Sequence, residues 1–300
     1  MYKPLVSIII TNYNYGQFLR EAIDSGLNQS YPHTEVVVVD DGSTDNSRDI
    51  IKSYGDKIVP VLKANGGQAS AFNAGFAASR GDIIFLLDSD DTFVREKVAE
   101  IVDVFSSHQD VGWCYHPLQL IDAQTKKIIK SSYEWSSGEY DVRASIKRGK
   151  LKGKLPCFPA TSGLCFTRSL LQQILPMPEA DTVSISDNYI KFTAIALSKG
   201  FALAKELALQ KIHDTNAFSL RKDNQQLTAR IHILTAYWMR MKFPFMKKFA
   251  NNSFARGIGT YWRMGGVEAA YQEVVQDYLS SLLPQELIEI NIRAFYHRLK

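Results

Sequence analysis

The feature that most constrains this chain is the stretch Asp82-Ile83-Ile84-Phe85-Leu86-Leu87-Asp88-Ser89-Asp90-Asp91. Its apolar residues are continuous rather than alternating, which predicts a strand covered on both faces, and hence a largely parallel sheet flanked by helices. At the carboxyl end of that strand stand Asp88, Asp90 and Asp91. Three carboxylates within four residues repel one another unless a cation or strong donors gather there. They are candidate ligands for a hard divalent ion; the plainer reading is a polar turn that caps the next helix.

The preceding residues repeat the pattern. Leu5–Ile10 reads as a strand, Thr11–Gly16 as its exit loop, and Phe18, Leu19, Ala22, Ile23 and Leu27 fall at helical spacing. Val36–Val39 is a second strand that stops on Asp40-Asp41-Gly42-Ser43. Asp45, Asn46 and Ser47 are good helix starters for a face built from Ile50, Ile51 and Tyr54. Ile58–Leu62 and the turn Asn65-Gly66-Gly67 then lead into a helix carrying Ala71, Phe72, Gly75 and Phe76. Strands alternating with helices predict a doubly wound α/β sheet, with its ligand crevice outside the carboxyl ends of the strands. Three polar turns converge on that crevice.

Downstream, Val98–Phe105 predicts a helix and Val111–Tyr115 a strand. Residues 122–160, rich in lysine, serine and glycine, predict a mobile excursion with a short helix at Ala144–Arg148. Gly163–Phe166 resumes regular structure, Ser169–Leu175 is a helix stopped by Pro176, and Asp187–Ser198 is a longer helix stopped by Gly200. Phe201–Ile212 reads as one last strand, and residues 221–300 as helical, with Ile288, Ile292, Phe295 and Leu299 at helical spacing.

A net charge of +4 over 300 residues makes no electrostatic case for nucleic acid. Cys114, Cys157 and Cys165 lack the close pairing of a zinc site or disulfide framework and read as reduced core thiols. No apolar run reaches membrane-span length, so the expected location is the cytoplasm. Tyr237–Lys248 interleaves bulky apolar groups with cations. That pattern fits a helix packed on the domain and also peripheral contact with the inner membrane face.

On the shared crevice, the carboxylates of Asp40-Asp41 are suited to accept the imide N–H of a uracil ring, with Tyr13 available to pack against it. The glycine turn, including Gly67, lets backbone approach a diphosphate. An Asp-X-Asp can place one carboxylate on magnesium or manganese and the other on a bound water or ribose hydroxyl. No Gly-X-Gly-X-X-Gly follows the first strand, which argues against a nicotinamide dehydrogenase.

In order, Val6–Asn14, Val39–Asp45, Asn65-Gly66-Gly67, Asn73-Ala74-Gly75 and Leu87–Asp91 resemble glycosyltransferase family 2, the inverting nucleotide-sugar enzymes of GT-A fold, over roughly residues 4–219. The resemblance implies that Thr11, Tyr13 and Asp41 hold the nucleotide base with Asp40 beside them, and that Asp88, Ser89 and Asp90 hold ribose and a metal-bound diphosphate. It implies a catalytic base at Asp187, although Ser186 stands where members often have Glu. It also implies a metal or phosphate contact at His213 in a His-X-X-Asn-X-X-Ser segment, and an acceptor-side loop at Thr161-Ser162-Gly163. One departure is Phe72, where many members carry Arg; Lys63 and Arg80 are candidate substitutes.

The expectation is therefore a GT-A type, mostly parallel α/β domain over residues 1–219, with a donor half to about 92 and an acceptor half to about 219, then a helical region over 220–300. Its function would be Mn2+- or Mg2+-dependent, inverting transfer from a nucleoside-diphosphate sugar, UDP by resemblance, to a saccharide or glycolipid hydroxyl. The alternative is a non-catalytic nucleotide-sugar binding or assembly protein on the same fold. Nothing in the sequence fixes an oligomeric state.

Overall fold

The computed structural model describes residues 3–129, 135–151, 153, 155, 158–179, 187–214, 216 and 224–299. The first half alternates as expected: β1 (Val6–Asn12), α1 (Gly16–Leu27), β2 (Thr34–Asp41), α2 (Ser47–Ser53), β3 (Val59–Lys63), α3 (Gly67–Ala78) and β4 (Ile83–Asp88). Next come β5 (Thr92–Phe93), α4 (Lys97–Ser107), β6 (Trp113–Tyr115), β7 (Gln119–Asp122), β8 (Ile128–Ile129), β9 (Gly138–Tyr140) and α5 (Arg143–Lys147). The chain continues through β10 (Leu164–Thr167), α6 (Arg168–Ile174), α7 (Asp187–Leu197), β11 (Gly200–Ala202) and β12 (Ala208–Ile212). It closes with α8 (Asn224–Lys242), α9 (Lys247–Arg263), α10 (Gln272–Ser280) and α11 (Pro284–Arg298).

The main sheet has the order β3-β2-β1-β4-β10-β6-β11-β9. Its first four strands are mutually parallel, while β10 runs antiparallel to both β4 and β6. Period-two alternation sends Ile8, Ile10, Val36, Val38, Phe85 and Leu87 into one apolar layer, and Ile9, Val37, Val39, Ile84 and Leu86 into the other. Helices cover both faces, as the continuous apolar run at Ile83–Leu87 requires.

Two expectations are corrected. Phe201–Ile212 is not one strand: β11 lies in the main sheet, and β12 crosses to a second sheet of order β5-β12-β7-β8. The exposed residues Ala204-Lys205-Glu206 mark the crossing. Residues 122–160 contain the short helix, but also β8 and β9, the latter closing the edge of the main sheet against β11.

The carboxyl-terminal helices share an apolar cluster with the sheet: Ile233, Leu234, Met239, Phe254 and Tyr278 belong to the layer that holds Trp113, Tyr115 and Tyr189. Each such side chain contributes about 1.5–3 kcal/mol when fully buried. In Tyr237–Lys248, Met239, Phe243 and Met246 are buried, and Lys242 Nζ donates to the carbonyls of Ile174 and Pro176, so this stretch packs on the domain. The spacing read at Ile288, Ile292, Phe295 and Leu299 is helical, yet these residues face outward and α11 packs through Ile290 and Ala294. Among the described residues, no helix is long and apolar enough to cross a membrane.

Arg240 clamps this region with a forked ion pair, Nη2 to Glu286 Oε2 at 3.0 Å and Nη1 to Oε1 at 3.2 Å, in largely buried surroundings. The Arg240 hydrogen bond, opposed by burial, brings the Glu286 carboxyl from 4.5 to about 2. A depressed carboxyl pKa stabilises the fold above the unfolded value, and that stability is lost as pH falls through the folded one. Glu286→Gln should therefore cost about 2 kcal/mol at pH 7. Urea titrations should show the gap to wild type closing as pH drops from about 4.5 toward 2.

Candidate active site

The site follows from register. β1 lies between β2 and β4, with Thr11 opposite both Val39 and Asp88, so the carboxyl ends of three strands meet where the strand order reverses. Hydrogen bonds lace the exit loops together. The Asn12 amide donates to Asp40 Oδ2 and Ser43 Oγ, each at 3.2 Å, the Asn14 N–H donates to Ser43 Oγ at 2.9 Å, and the Thr44 N–H donates to Asn14 Oδ1 at 2.8 Å. Asn14 adopts φ 56°, which asparagine tolerates. Gly42 sits at φ 82°, where an added Cβ would lie 2.5 Å from the Asn65 backbone nitrogen, so this turn requires glycine.

These loops border a cavity of about 380 Å3 lined by Thr11, Tyr13, Asp41, Gly67, Asp88, Ser89 and Asp90, among others. Tyr13 is 47% exposed and offers a ring face. Asp41 Oδ1 accepts from Lys63 Nζ at 2.6 Å and the Gly66 N–H at 3.0 Å, while Oδ2 accepts from the Gly67 N–H at 2.7 Å. The amides of the glycine turn, read from sequence as a diphosphate cradle, thus serve to fix Asp41. Asp40, next to it in the chain, takes a different position. It is fully buried, lies outside the cavity lining and is held by Asn12, Ser43 and Arg48. Burial would raise its carboxyl, but these donors hold it below the ordinary range.

At the end of β4, burial first and then Asp90, Asp91 and Asp187 push the Asp88 carboxyl well above the carboxylate range. Asp91 is also buried, and its two oxygens are taken: Oδ2 accepts from Ser162 Oγ at 2.7 Å and Oδ1 from the Lys211 N–H at 3.2 Å. Burial and Asp90 raise it to about 8. Asp90 turns instead toward His213, whose Nε2 lies 3.2 Å from Oδ2, and Asn216 Nδ2 donates to the same oxygen at 3.2 Å. The imidazole stacks on Phe18 at 4.5 Å. Among the described residues, no three Asp, Glu, His or Cys side chains converge into a ready-made cation site. Oxygen donors at Asp88 and Asp90 with an imidazole beside them nonetheless suit Mn2+ or Mg2+, which fill remaining positions with water or phosphate.

A second cavity of about 290 Å3 adjoins the first and shares Gln68, Asp88, Gln210 and Leu227 with it. Asp187 and Thr161 line it. Asp187, the first residue of α7, pairs with Lys191 one turn on, Nζ to Oδ2 at 2.9 Å, and Lys191 also reaches the Pro159 carbonyl. Ser162 and Gly163 do not reach this cavity. Ser162 lies beneath it, accepting the Asp88 N–H and donating to Asp91, while its carbonyl takes Lys97 Nζ at 2.6 Å. Burial lowers that lysine to about 8. Ser186 and Ser219 lie outside the described residues.

Sequence reasoning missed Asn12, Gln68, Gln210, Leu227 and Arg230 as cavity residues. Asn12 Oδ1, Gln68 Oε1 and Arg230 Nε are buried and find no hydrogen-bond partner among the described residues, and all three residues line the larger cavity. Buried groups of this kind are rare unless something binds them. Only Asn12, inside the first loop, had a local sequence signal. The proposed substitutes for the absent arginine are occupied: Lys63 bonds Asp41, and Arg80 pairs with Glu35 at the opposite end of the sheet.

A doubly wound sheet with acidic loops gathered at its reversal point defines a GT-A type fold. S. aureus TarS in complex with UDP-GlcNAc superposes with a TM-score of 0.66 at 19% identity, covering 98% of this chain and 87% of that one. The mannosyltransferase PcManGT from Pyrobaculum calidifontis, in complex with GDP-Man and Mn2+, gives 0.52 at 17%, covering 99% and 88%. Residues 7–172 match Glycosyl transferase family 2, and the chain belongs to that family. An uncharacterized glycosyltransferase of Rickettsia typhi is 34% identical over 90% of this chain and 84% of its own length. One from Nostoc is 40% identical over 70% of this chain. The matched stretch spans 66% of the Nostoc relative and 57% of one from Rickettsia prowazekii.

The Asp91–Ser162 bond is the strut beneath both cavities. Ser162→Ala should leave a buried oxygen of the Asp91 carboxyl unpaired and lower stability by about 1–3 kcal/mol, read from the urea midpoint.

Proposed function

We propose that this chain transfers a sugar from a nucleoside-diphosphate donor, a UDP-sugar before the others, to the hydroxyl of a saccharide or glycolipid acceptor, with inversion. The observation that carries the reading is the larger cavity, whose unpartnered polar atoms on Asn12, Gln68 and Arg230 surround a space ending at Asp88, across which Asp187 borders the second cavity. TarS and PcManGT, bound to UDP-GlcNAc and to GDP-Man with Mn2+, support a nucleotide donor and a divalent cation. A Bacillus subtilis relative named as a putative teichuronic acid biosynthesis glycosyltransferase, 40% identical over 102 residues (32% of this chain, 40% of its own length), supports a polysaccharide acceptor.

In this reading Tyr13 packs against the base, and Asp41 Oδ2, which accepts one bond from Gly67, uses a remaining lone pair for the ring N–H. Asp88 and Asp90, with His213 beside them, would hold Mn2+ or Mg2+, which neutralises charge on the leaving diphosphate. Asp187, oriented by Lys191, takes the proton from the acceptor hydroxyl. The acceptor oxygen forms a bond to the anomeric carbon as the bond to the diphosphate breaks, and the electron pair leaves on the diphosphate oxygen. One displacement from the opposite face inverts the anomeric centre.

Asp187→Asn should reduce transfer by roughly 100-fold or more while donor affinity stays within a few-fold, measured by release of nucleoside diphosphate and by calorimetry. Retained transfer would remove Asp187 as the base. Absence of both transfer and donor hydrolysis across UDP-, dTDP- and GDP-sugars with Mn2+ would favour a non-catalytic binding protein.

A further inference from the structure

Four acidic residues, Asp41, Asp88, Asp90 and Asp91, line the donor cavity, and Arg230 is the one Lys or Arg among its described lining residues. A diphosphate brings further negative charge into this space, so a fixed cation on the wall favours its binding beside any metal ion. Arg230 comes from α8, beyond the residues that match the family. Its guanidinium is held from behind: Nη2 donates to Glu268 Oε1 at 3.0 Å and Oε2 at 3.3 Å, and the group lies over the Tyr271 ring at 5.0 Å. Tyr261 in turn donates its hydroxyl to Glu268. Nε, by contrast, is buried with no partner among the described residues. A guanidinium anchored through one nitrogen and unmatched at another is pre-organised for an incoming oxyanion.

We propose that Arg230 binds the donor diphosphate, so that the carboxyl-terminal helices complete the donor site by supplying its protein cation. Glu268 is a positioning residue that aims the guanidinium, and Tyr271 supports its plane. The assignment rests on the nucleotide-donor reading above. It also accounts for Phe72, which is buried in the apolar layer beneath α3 and presents no charge to the cavity.

The test compares UDP with uridine, which share a base and ribose but differ in the diphosphate. Titration calorimetry with Mn2+ present, on wild type and Arg230→Ala, should show UDP affinity falling roughly 10- to 100-fold and uridine affinity unchanged. Arg230→Lys should recover part of the loss, and the uridine signal of each variant reports an intact base pocket. Glu268→Gln should weaken UDP binding less than Arg230→Ala, again with uridine unaffected. Equal UDP affinity in wild type and Arg230→Ala, or equal losses for UDP and uridine, would overturn the assignment while leaving the donor reading standing. Failure of wild type to bind UDP, dTDP or GDP would overturn both.

Discussion

One buried carboxylate holds this site in shape. Asp91 joins three distant parts of the chain: the end of β4, the Ser162 loop before β10, and β12 through the Lys211 amide. It therefore ties the main sheet to the second sheet directly under the acidic loop. Its cost is desolvation, which is why its carboxyl rises to about 8, and hydrogen bonds from Ser162 and Lys211 offset part of that cost. Lys97, equally buried, sits on the same loop through the Ser162 carbonyl and stacks over Phe93 at 3.4 Å. Asp91 and Lys97 thus meet through one serine, its hydroxyl and its carbonyl, and removing either leaves a buried polar group of that loop without its partner.

The same tie separates the acids of the Asp-Ser-Asp-Asp loop. Adjacent in sequence, Asp90 and Asp91 have opposite fates: one carboxylate turns inward and is saturated by donors, the other turns toward His213 and Asn216. A local pattern of charges carries no information about which way alternate side chains face once the strand ends in a turn. That assignment depends on Ser162 and Lys211, which lie 71 and 120 residues downstream of Asp91.

The first half of the fold was legible because its signals are local and strong. The apolar runs Ile8–Ile10, Val36–Val39 and Ile83–Leu87, each followed by polar residues, marked β1, β2 and β4, and the doubly wound topology follows from them. The second half was less legible for reasons visible in the structure. β8 and β11 are two and three residues long, too short for any period to register. The crossing from β11 to β12 depends on which sheet edge is open, a property of the whole fold. Asp187 and His213 were singled out through motif order; Arg230 could not be, since on an amphipathic helix a cavity-facing arginine and a solvated one have the same spacing. Asp40 stitches two loops together, and a carboxylate used in that way and one presented to a ligand look alike in sequence.

The wall formed by Gln68, Asp88, Gln210 and Leu227 borders both cavities. Shared walls couple the two rooms: a substitution that enlarges the space on one side takes it from the other, and the rigidity of β4 prevents the partition from bending to absorb the change. If the chain is the sugar transferase proposed above, diversification toward a new sugar would therefore drag acceptor preference with it. Tyr13 borders only the first cavity, so on the same reading nucleotide choice can drift through that residue alone.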